Sequence, residues 1–442
     1  MPREVQSLPL LSELDASPCG PRPVHANSSP TMRESRHRRR LKYREFSRDE
    51  QEEIEREFLA LRERRQSKNI QDIDPDATTQ ALKAAWGSGR SWHIRAVMPG
   101  GGPERNFFKR NMTLLPNSLE SPEAVLKRFC LGARCTKGLK AGLGQDMLSI
   151  SRLANTGLYD GWTLYLVADG HGISGHWVSH RIVQTLPYFL NSVECQKLLW
   201  NREIDTALKL AFRRAEEDLV RHSRRHHIDI SMSGSTATCL LRWARGTEVW
   251  VATVGDSRAL FCTHDGKVLE KTSDHKPDSV LERKRIEMAG GEVRAEDPRV
   301  CRPGKSYPGL AVSRAFGDLF CKELGVVSEP EIACWDITGH EDGFLLAASD
   351  GVWEFLQNEQ VAELVSGSLK GTENLQTASD AVLFAARQEW LREADDYADD
   401  ITILCVPTKR IEGPNPLRKP LSSSRLPTEC IQCGGSAQCS IL

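Results

Sequence analysis

Asp169, Gly170 and His171 stand in succession at the end of an apolar run, "LYLVADGHG", Leu164 to Gly172. A carboxylate at the mouth of a strand, a bare backbone beside it and an imidazole one step on form a compact chemical unit. Asp-Gly alone is a turn signal, because both residues tolerate turn backbone. The same arrangement recurs along the chain. "VATVGD" ends at Asp256 and "LLAASD" at Asp350. In "DYADDITILCV" Asp399 and Asp400 open an apolar run, and in "GLGQDMLSIS" Asp146 precedes another.

Each aspartate taken singly reads as turn or cap chemistry. Taken together they read differently if the strand ends meet. Carboxylates gathered at one place must be protonated, paired or neutralised by cations. Few basic residues lie near them in sequence, so divalent metal is the economical solution. The donors are carboxylate and backbone oxygens, with no Cys or His at ligand spacing. Hard oxygen donors suit Mg²⁺ or Mn²⁺ rather than Zn²⁺. Gly170 has no side chain, so its carbonyl can approach an ion. His171, with an ordinary pKa of about 6.5, is better placed as a proton donor than as a further ligand. Two ions sharing a water would lower its pKa and clamp the oxygens of an in-line displacement. His171 would protonate the leaving oxygen. That chemistry is phosphoryl transfer to water.

Such a site needs elements that place strand ends side by side. Strand-length apolar runs recur from about residue 121: Trp162 to Ala168, Thr236 to Leu241, Glu248 to Val254, Arg258 to Thr263, Phe344 to Ser349 and Ile401 to Val406. Helical patterns cover Trp177 to Leu190, 203–222 and 373–393. "RWARGT" (Arg242 to Thr247) and Gly255-Asp256 read as links in antiparallel meanders. Strands and helices in separate blocks predict an α+β fold, sheets packed together with helices outside. The folded domain is expected over 121–408, enough chain for a large core.

The flanks have a different texture. Residues 1–120 read as an N-terminal extension. Its first 40 residues are rich in Pro, Ser and Arg and carry the run Arg36 to Arg40, expected as disorder. A helix is expected over 47–66, capped at Ser47, with Ile54, Phe58 and Leu61 in one stripe. Residues 67–120 read as a linker with local structure. Residues 409–442 form a basic tail.

The chain has 442 residues, a formal net charge of -1 and 13 cysteines. Near-neutral charge argues against a chain built to coat nucleic acid, and no specific nucleic-acid partner is expected. The start shows no secretory pattern, and no window reaches about 18 uninterrupted apolar residues. Cysteines without such a leader read as reduced thiols, so a cytoplasmic monomer is expected.

Eight stretches then point to one family: "YLVADGHG", "SGSTATC", "VATVGDSRALF", "DHKPDSVLERKRIEMAGGEV", "GLAVSRAFGD", "GVVSEPEI", "LLAASDGVWE" and "DDITILCV". In this order they closely resemble the metal-dependent serine/threonine protein phosphatases of the 2C type, over about 125–408. The resemblance implies a β-sandwich of two antiparallel sheets flanked by helices, with metals at one end and phosphorylated proteins as substrates. It implies that Asp169 bridges two Mg²⁺ or Mn²⁺ ions and that Gly170 is a ligand through its carbonyl. Asp350 and Asp399 match the remaining ligands of one ion. Asp146 matches an acidic position acting through metal-bound water. Asp256 matches a position that, with Asp350, holds a third, weaker ion. His171 matches the proposed general acid.

This chain departs from the family pattern in four places. Ile173 stands where a second glycine usually follows, Gln145 stands where Glu is common, and Asp400 stands where Asn is typical. No arginine precedes Asp146 as a phosphate clamp; Lys137 and Lys140 do, and Lys140 is the candidate substrate-binding cation. The insert from Lys267 to Gly309 resembles the family's flap, with a helix bearing Leu281, Ile286 and Met288 and stopped by Gly290-Gly291. With Asp169, Asp350 and Asp399 all present, an enzyme is favoured over a non-catalytic scaffold on the same fold.

The C-terminal Cys439-Ser440-Ile441-Leu442 fits a prenylation box, with Cys430 and Cys433 as palmitoylation candidates and basic residues upstream. Attachment at the cytoplasmic face of a membrane is the corresponding expectation, since stable anchoring takes two signals.

Overall fold

A computed structural model describes the backbone of Trp92–Val97 and Thr113–Pro116, and residues 126–409 apart from 128, 140–143, 154–160, 245, 371–373 and 395–396. The expected helix over 47–66, the basic run 36–40, Lys140, Cys430, Cys433 and Cys439 lie outside the described residues.

Strands β1 (Trp92–Val97), β2 (Thr113–Pro116), β3 (Gly132–Thr136), β4 (Met147–Arg152), β5 (Trp162–Ala168) and β6 (Gly170–His171) come first. Helices α1 (Gly175–Leu190), α2 (Val193–Trp200) and α3 (Ile204–Arg225) follow, then β7 (Gly234–Ser235), β8 (Ala237–Trp243), β9 (Glu248–Val254), β10 (Arg258–Cys262) and β11 (Val268–Lys271). The flap holds α4 (Val280–Met288), β12 (Glu292–Val293), β13 (Val300–Cys301) and β14 (Pro308–Leu310). Beyond it lie β15 (Phe316–Gly317), a 3₁₀ turn at Cys321–Leu324, β16 (Glu331–Asp336) and β17 (Phe344–Ala348). Helices α5 (Asp350–Trp353), α6 (Asn358–Leu369) and α7 (Leu375–Glu393) lead to β18 (Ile401–Pro407).

Two antiparallel sheets carry the fold. One has seven strands in the order β16-β9-β8-β5-β4-β1-β2, the other five in the order β11-β10-β17-β18-β3. Smaller three-stranded sheets are β12-β13-β14 in the flap and β15-β7-β6.

Alternation along the strands sorts side chains into layers. On β17 and β18, Leu345, Ala347, Leu404 and Val406 join the core shared with the seven-stranded sheet. Their neighbours Phe344, Leu346, Ala348, Ile401, Ile403 and Cys405 join a second core beneath α6 and α7. β5 is buried along its whole length, Trp162 to Ala168, because α1 packs against β4 and β5 while its other face meets the second sheet. On α3, Ile204, Ala207, Leu208, Ala211, Phe212, Ala215 and Leu219 are buried in one stripe of helical period. Ser192 caps α2 by accepting the Cys195 amide at 3.3 Å. Among the described residues, no helix is long and apolar enough to cross a membrane.

One local expectation is corrected and two are sharpened. β9 and β10 do not pair: β9 lies between β8 and β16, and β10 lies between β11 and β17. Gly255, at φ +97°, turns the chain from one sheet to the other. On α4 only Ile286 of the three expected apolar residues is buried, while Leu281 and Met288 are each 79% exposed. The flap's separate small core needs one residue from this helix, beside Val293, Val300, Tyr307, Phe320 and Leu324. Finally, Trp92–Val97 and Thr113–Pro116, within the stretch read as a linker with local structure, pair with each other, and Trp92–Arg95 pair with Arg152–Ser149.

Candidate active site

The strand ends bring the acidic residues together through register. Met147 pairs with Ala168, so Asp146 and Asp169 leave neighbouring strands side by side. On the other sheet Ala348 pairs with Ile403, and the Ser349 amide donates to the Thr402 carbonyl at 3.1 Å. Asp350 therefore opens α5 beside the approach to β18; a Cβ on Gly351 would lie 2.0 Å from the Asp400 carbonyl oxygen. A hydroxyl links Asp146 to the other sheet. Ser349 Oγ donates to Asp146 Oδ2 at 2.6 Å and accepts from the Thr402 amide at 3.0 Å.

A second hydroxyl chain ties in Asp256. Thr236 Oγ1 accepts the Asp169 amide at 3.0 Å and lies 2.7 Å from Ser257 Oγ. The Thr236 amide donates to the Asp169 carbonyl at 2.8 Å. Asp169 is thus held by its backbone on both sides. Asp146 is fully buried, whereas Asp169, Asp256 and Asp399 keep 7–8% of their surface. Asp399 accepts from Tyr397 Oη at 3.1 Å and from the Asp400 amide at 2.8 Å.

Gly170 is demanded by space. A Cβ there would lie 2.4 Å from the Gly175 carbonyl oxygen and 2.8 Å from that of Gln145. Its amide donates to the Gln145 carbonyl at 3.2 Å. Gln145, the departure from the usual Glu, donates through Nε2 to the Gly172 carbonyl at 2.5 Å and so braces the loop after His171. Ile173 in that loop is 94% exposed.

Two residues with clear roles were not singled out from sequence. Asp318 Oδ2 lies 2.6 Å from His171 Nε2, with Asp318 only 1% exposed. It follows a glycine at the end of "AFGD", the same Gly-Asp signal as at Asp256. Its backbone adopts φ 45° and donates to the Ser233 carbonyl at 2.9 Å; Asp is among the few residues that take this conformation readily. Lys276 forms an ion pair with Asp256 Oδ2. Asp400 differs from Asp399 in use. Its Oδ1 accepts the Gly138 amide at 2.7 Å and its Oδ2 the Gln145 amide at 2.6 Å. Both oxygens are engaged in holding loops, so Asp400 is not a ligand candidate. Lys137 is buried.

The donor set is oxygen throughout. Among the described residues, no three His, Cys, Asp or Glu side chains stand close enough to hold one ion by themselves. A closed Zn²⁺ site would need such a group. Mg²⁺ keeps several waters and is held by one or two carboxylates with other oxygens, a demand that single acids offered from neighbouring strand ends fit. A separate cleft of about 930 Å³ lies between α2, α3 and residues 322–329, with Leu198, Leu210, Arg213 and Val327 among its lining; none of these acids borders it.

Residues 131–390 match the family model "Protein phosphatase 2C". The chain is 35% identical over 270 residues to "Probable protein phosphatase 2C 72" of Arabidopsis thaliana, covering 56% of this chain and 77% of that one. It is 34% identical over 284 residues to "Probable protein phosphatase 2C 64" of Oryza sativa subsp. japonica, covering 60% of this chain and 63%, under two thirds, of that one. The crystal structure of serine-threonine phosphatase 2C from Toxoplasma gondii superposes with a TM-score of 0.52 at 19% identity, over 71% of this chain and 98% of that one, a likeness of fold.

Proposed function

Since the chain belongs to the protein phosphatase 2C family of protein serine/threonine phosphatases, we propose that its acidic rim is a binuclear Mg²⁺ or Mn²⁺ centre hydrolysing phosphoserine and phosphothreonine in proteins. The observation that carries this reading is the Asp146–Ser349 hydrogen bond. It ties Asp146, which leaves its strand beside Asp169, to the residue preceding Asp350 on the other sheet, and this supports a shared site.

Asp169, the Gly170 carbonyl, Asp350 and Asp399 would hold the two ions, with Asp146 acting on their water and Asp256 with Asp350 available to a third. When bound, the ions supply Lewis acidity at the phosphoryl oxygens and lower the pKa of the attacking water. Asp169 is held by its backbone to Thr236, which orients its carboxylate. Asp318 engages Nε2 of His171 and orients the imidazole as the proposed general acid for the departing seryl or threonyl oxygen. Lys140 remains the proposed contact for the phosphate, and Cys439 the proposed prenylation site; both rest on sequence alone.

The test is hydrolysis by the purified chain of phosphothreonine and phosphotyrosine peptides, with and without Mn²⁺. Hydrolysis confined to Mn²⁺ and to phosphothreonine is expected. Equal turnover with excess chelator would refute the metal centre, and preference for phosphotyrosine the substrate class. For the tail, Cys439→Ser is expected to abolish incorporation of a labelled isoprenoid; unchanged labelling would exclude that cysteine.

A further inference from the structure

Three consecutive flap residues grip the turn that carries Asp256. Asp274 accepts from Arg258 Nε at 2.9 Å and from Arg258 Nη2 at 2.8 Å. The His275 amide donates to the Gly255 carbonyl at 2.9 Å, and His275 Nδ1 accepts the Gly255 amide at 3.1 Å. Lys276 Nζ donates to Asp256 Oδ2. Arg258 is fixed in turn by Asn358 Oδ1 at 2.6 Å and by the Trp353 ring 5.1 Å away. The position of Lys276 is therefore set by its neighbours' bonds, and its side chain is 42% exposed. Lys276 therefore presents its ammonium to Asp256.

The ammonium thus engages the Asp256 carboxylate that a third cation would need. We propose that Lys276 decides whether this side of the rim accepts a third divalent cation: ammonium and cation exclude one another at Asp256. This rests on the reading of the rim as a metal centre and names the residue that sets its stoichiometry. The exclusion has a second consequence. Lys276 opens the flap, and the Ser279 amide bonds back to its carbonyl at 3.1 Å just before α4. A third cation that releases Lys276 loosens this anchor, and by linkage a loosened flap favours the cation.

Free Mn²⁺ would be followed by its EPR signal during titration of the full chain at neutral pH. Wild type is expected to show two tighter sites and one weaker. In Lys276→Met the third site tightens about tenfold, within the usual roughly 5–150-fold range for coupled sites; Lys276→Arg, which keeps the charge, leaves it weak. Two retained sites with the third unmoved in Lys276→Met would overturn the inference and leave the metal centre standing. No Mn²⁺ binding by wild type would overturn both. Hydrogen exchange on wild type needs no variant. Protection over Val280–Met288 is expected to fall as Mn²⁺ rises through the third, weaker range, and unchanged protection with that site filled would overturn the exclusion.

Discussion

The acidic rim and the flap both place carboxylates out of water, and they partner them differently. In the flap Glu282, 5% exposed, carries its own cations. Arg314 Nη2 and Arg285 Nη1 each reach it at 2.8 Å, and Ser313 Oγ also donates to it. At the rim Ser349 donates to Asp146, Tyr397 and a backbone amide donate to Asp399, and Lys276 pairs with Asp256. Hydroxyls and amides orient a carboxylate without cancelling its charge. A carboxylate with a built-in guanidinium is finished as structure, whereas a group of oriented carboxylates calls for a cation from solution.

Charge removal should therefore act in opposite senses in the two regions. The largest effect is expected on activity. Asp169→Asn should lower Mn²⁺-dependent phosphopeptide hydrolysis by about 10³-fold or more, the scale of several kcal/mol of Lewis-acid stabilisation, with far-UV circular dichroism unchanged. Full activity in that variant would remove Asp169 from the centre.

Next in size, Glu282→Gln should destabilise the protein by about 3 kcal/mol, because it strands two arginines; urea unfolding reads this directly. The same carboxylate sets a pH window. Burial alone would raise its pKa, but hydrogen bonds from Arg314, Arg285 and Ser313 bring it down to about 2 from the ordinary 4.5. Its contribution is complete above pH 4.5 and is lost as pH falls toward 2. Glu282→Gln should flatten the wild-type decline in unfolding midpoint across that window, and parallel curves would contradict the assignment.

Without divalent cation, Asp350→Asn should raise the unfolding midpoint, worth about 1 kcal/mol of relieved repulsion, where Glu282→Gln lowers it. A fall in both would erase the contrast between the regions. The smallest effect belongs to Asp400→Asn. Its oxygens hold backbone amides, so stability should drop by about 1 kcal/mol while Mn²⁺ affinity stays within about twofold. A tenfold loss of affinity would bring Asp400 back as a ligand.

The chain's own order of residues settled the periodicities. Apolar runs marked strands at Trp162, Glu248, Phe344 and Ile401, and an aspartate beside each suitable run marked the candidate site. These are local facts, since a side-chain period of two and a turn-forming Asp-Gly need no distant partner. Tertiary structure decided what depends on a meeting of remote segments. It sent the chain across from β9 to β10 at Gly255 and added β1 and β2 to a sheet edge. Of the apolar residues on α4 it buried Ile286 alone, because a small core has room for one stripe residue. It separated Asp399 from its neighbour Asp400, whose donors come from residues 138 and 145. It set Asp318 against His171, 147 residues away in sequence, and Lys276 against Asp256. Composition can show that a carboxylate exists; only the folded arrangement of donors and charges around it decides whether it holds a loop, a histidine or an ion.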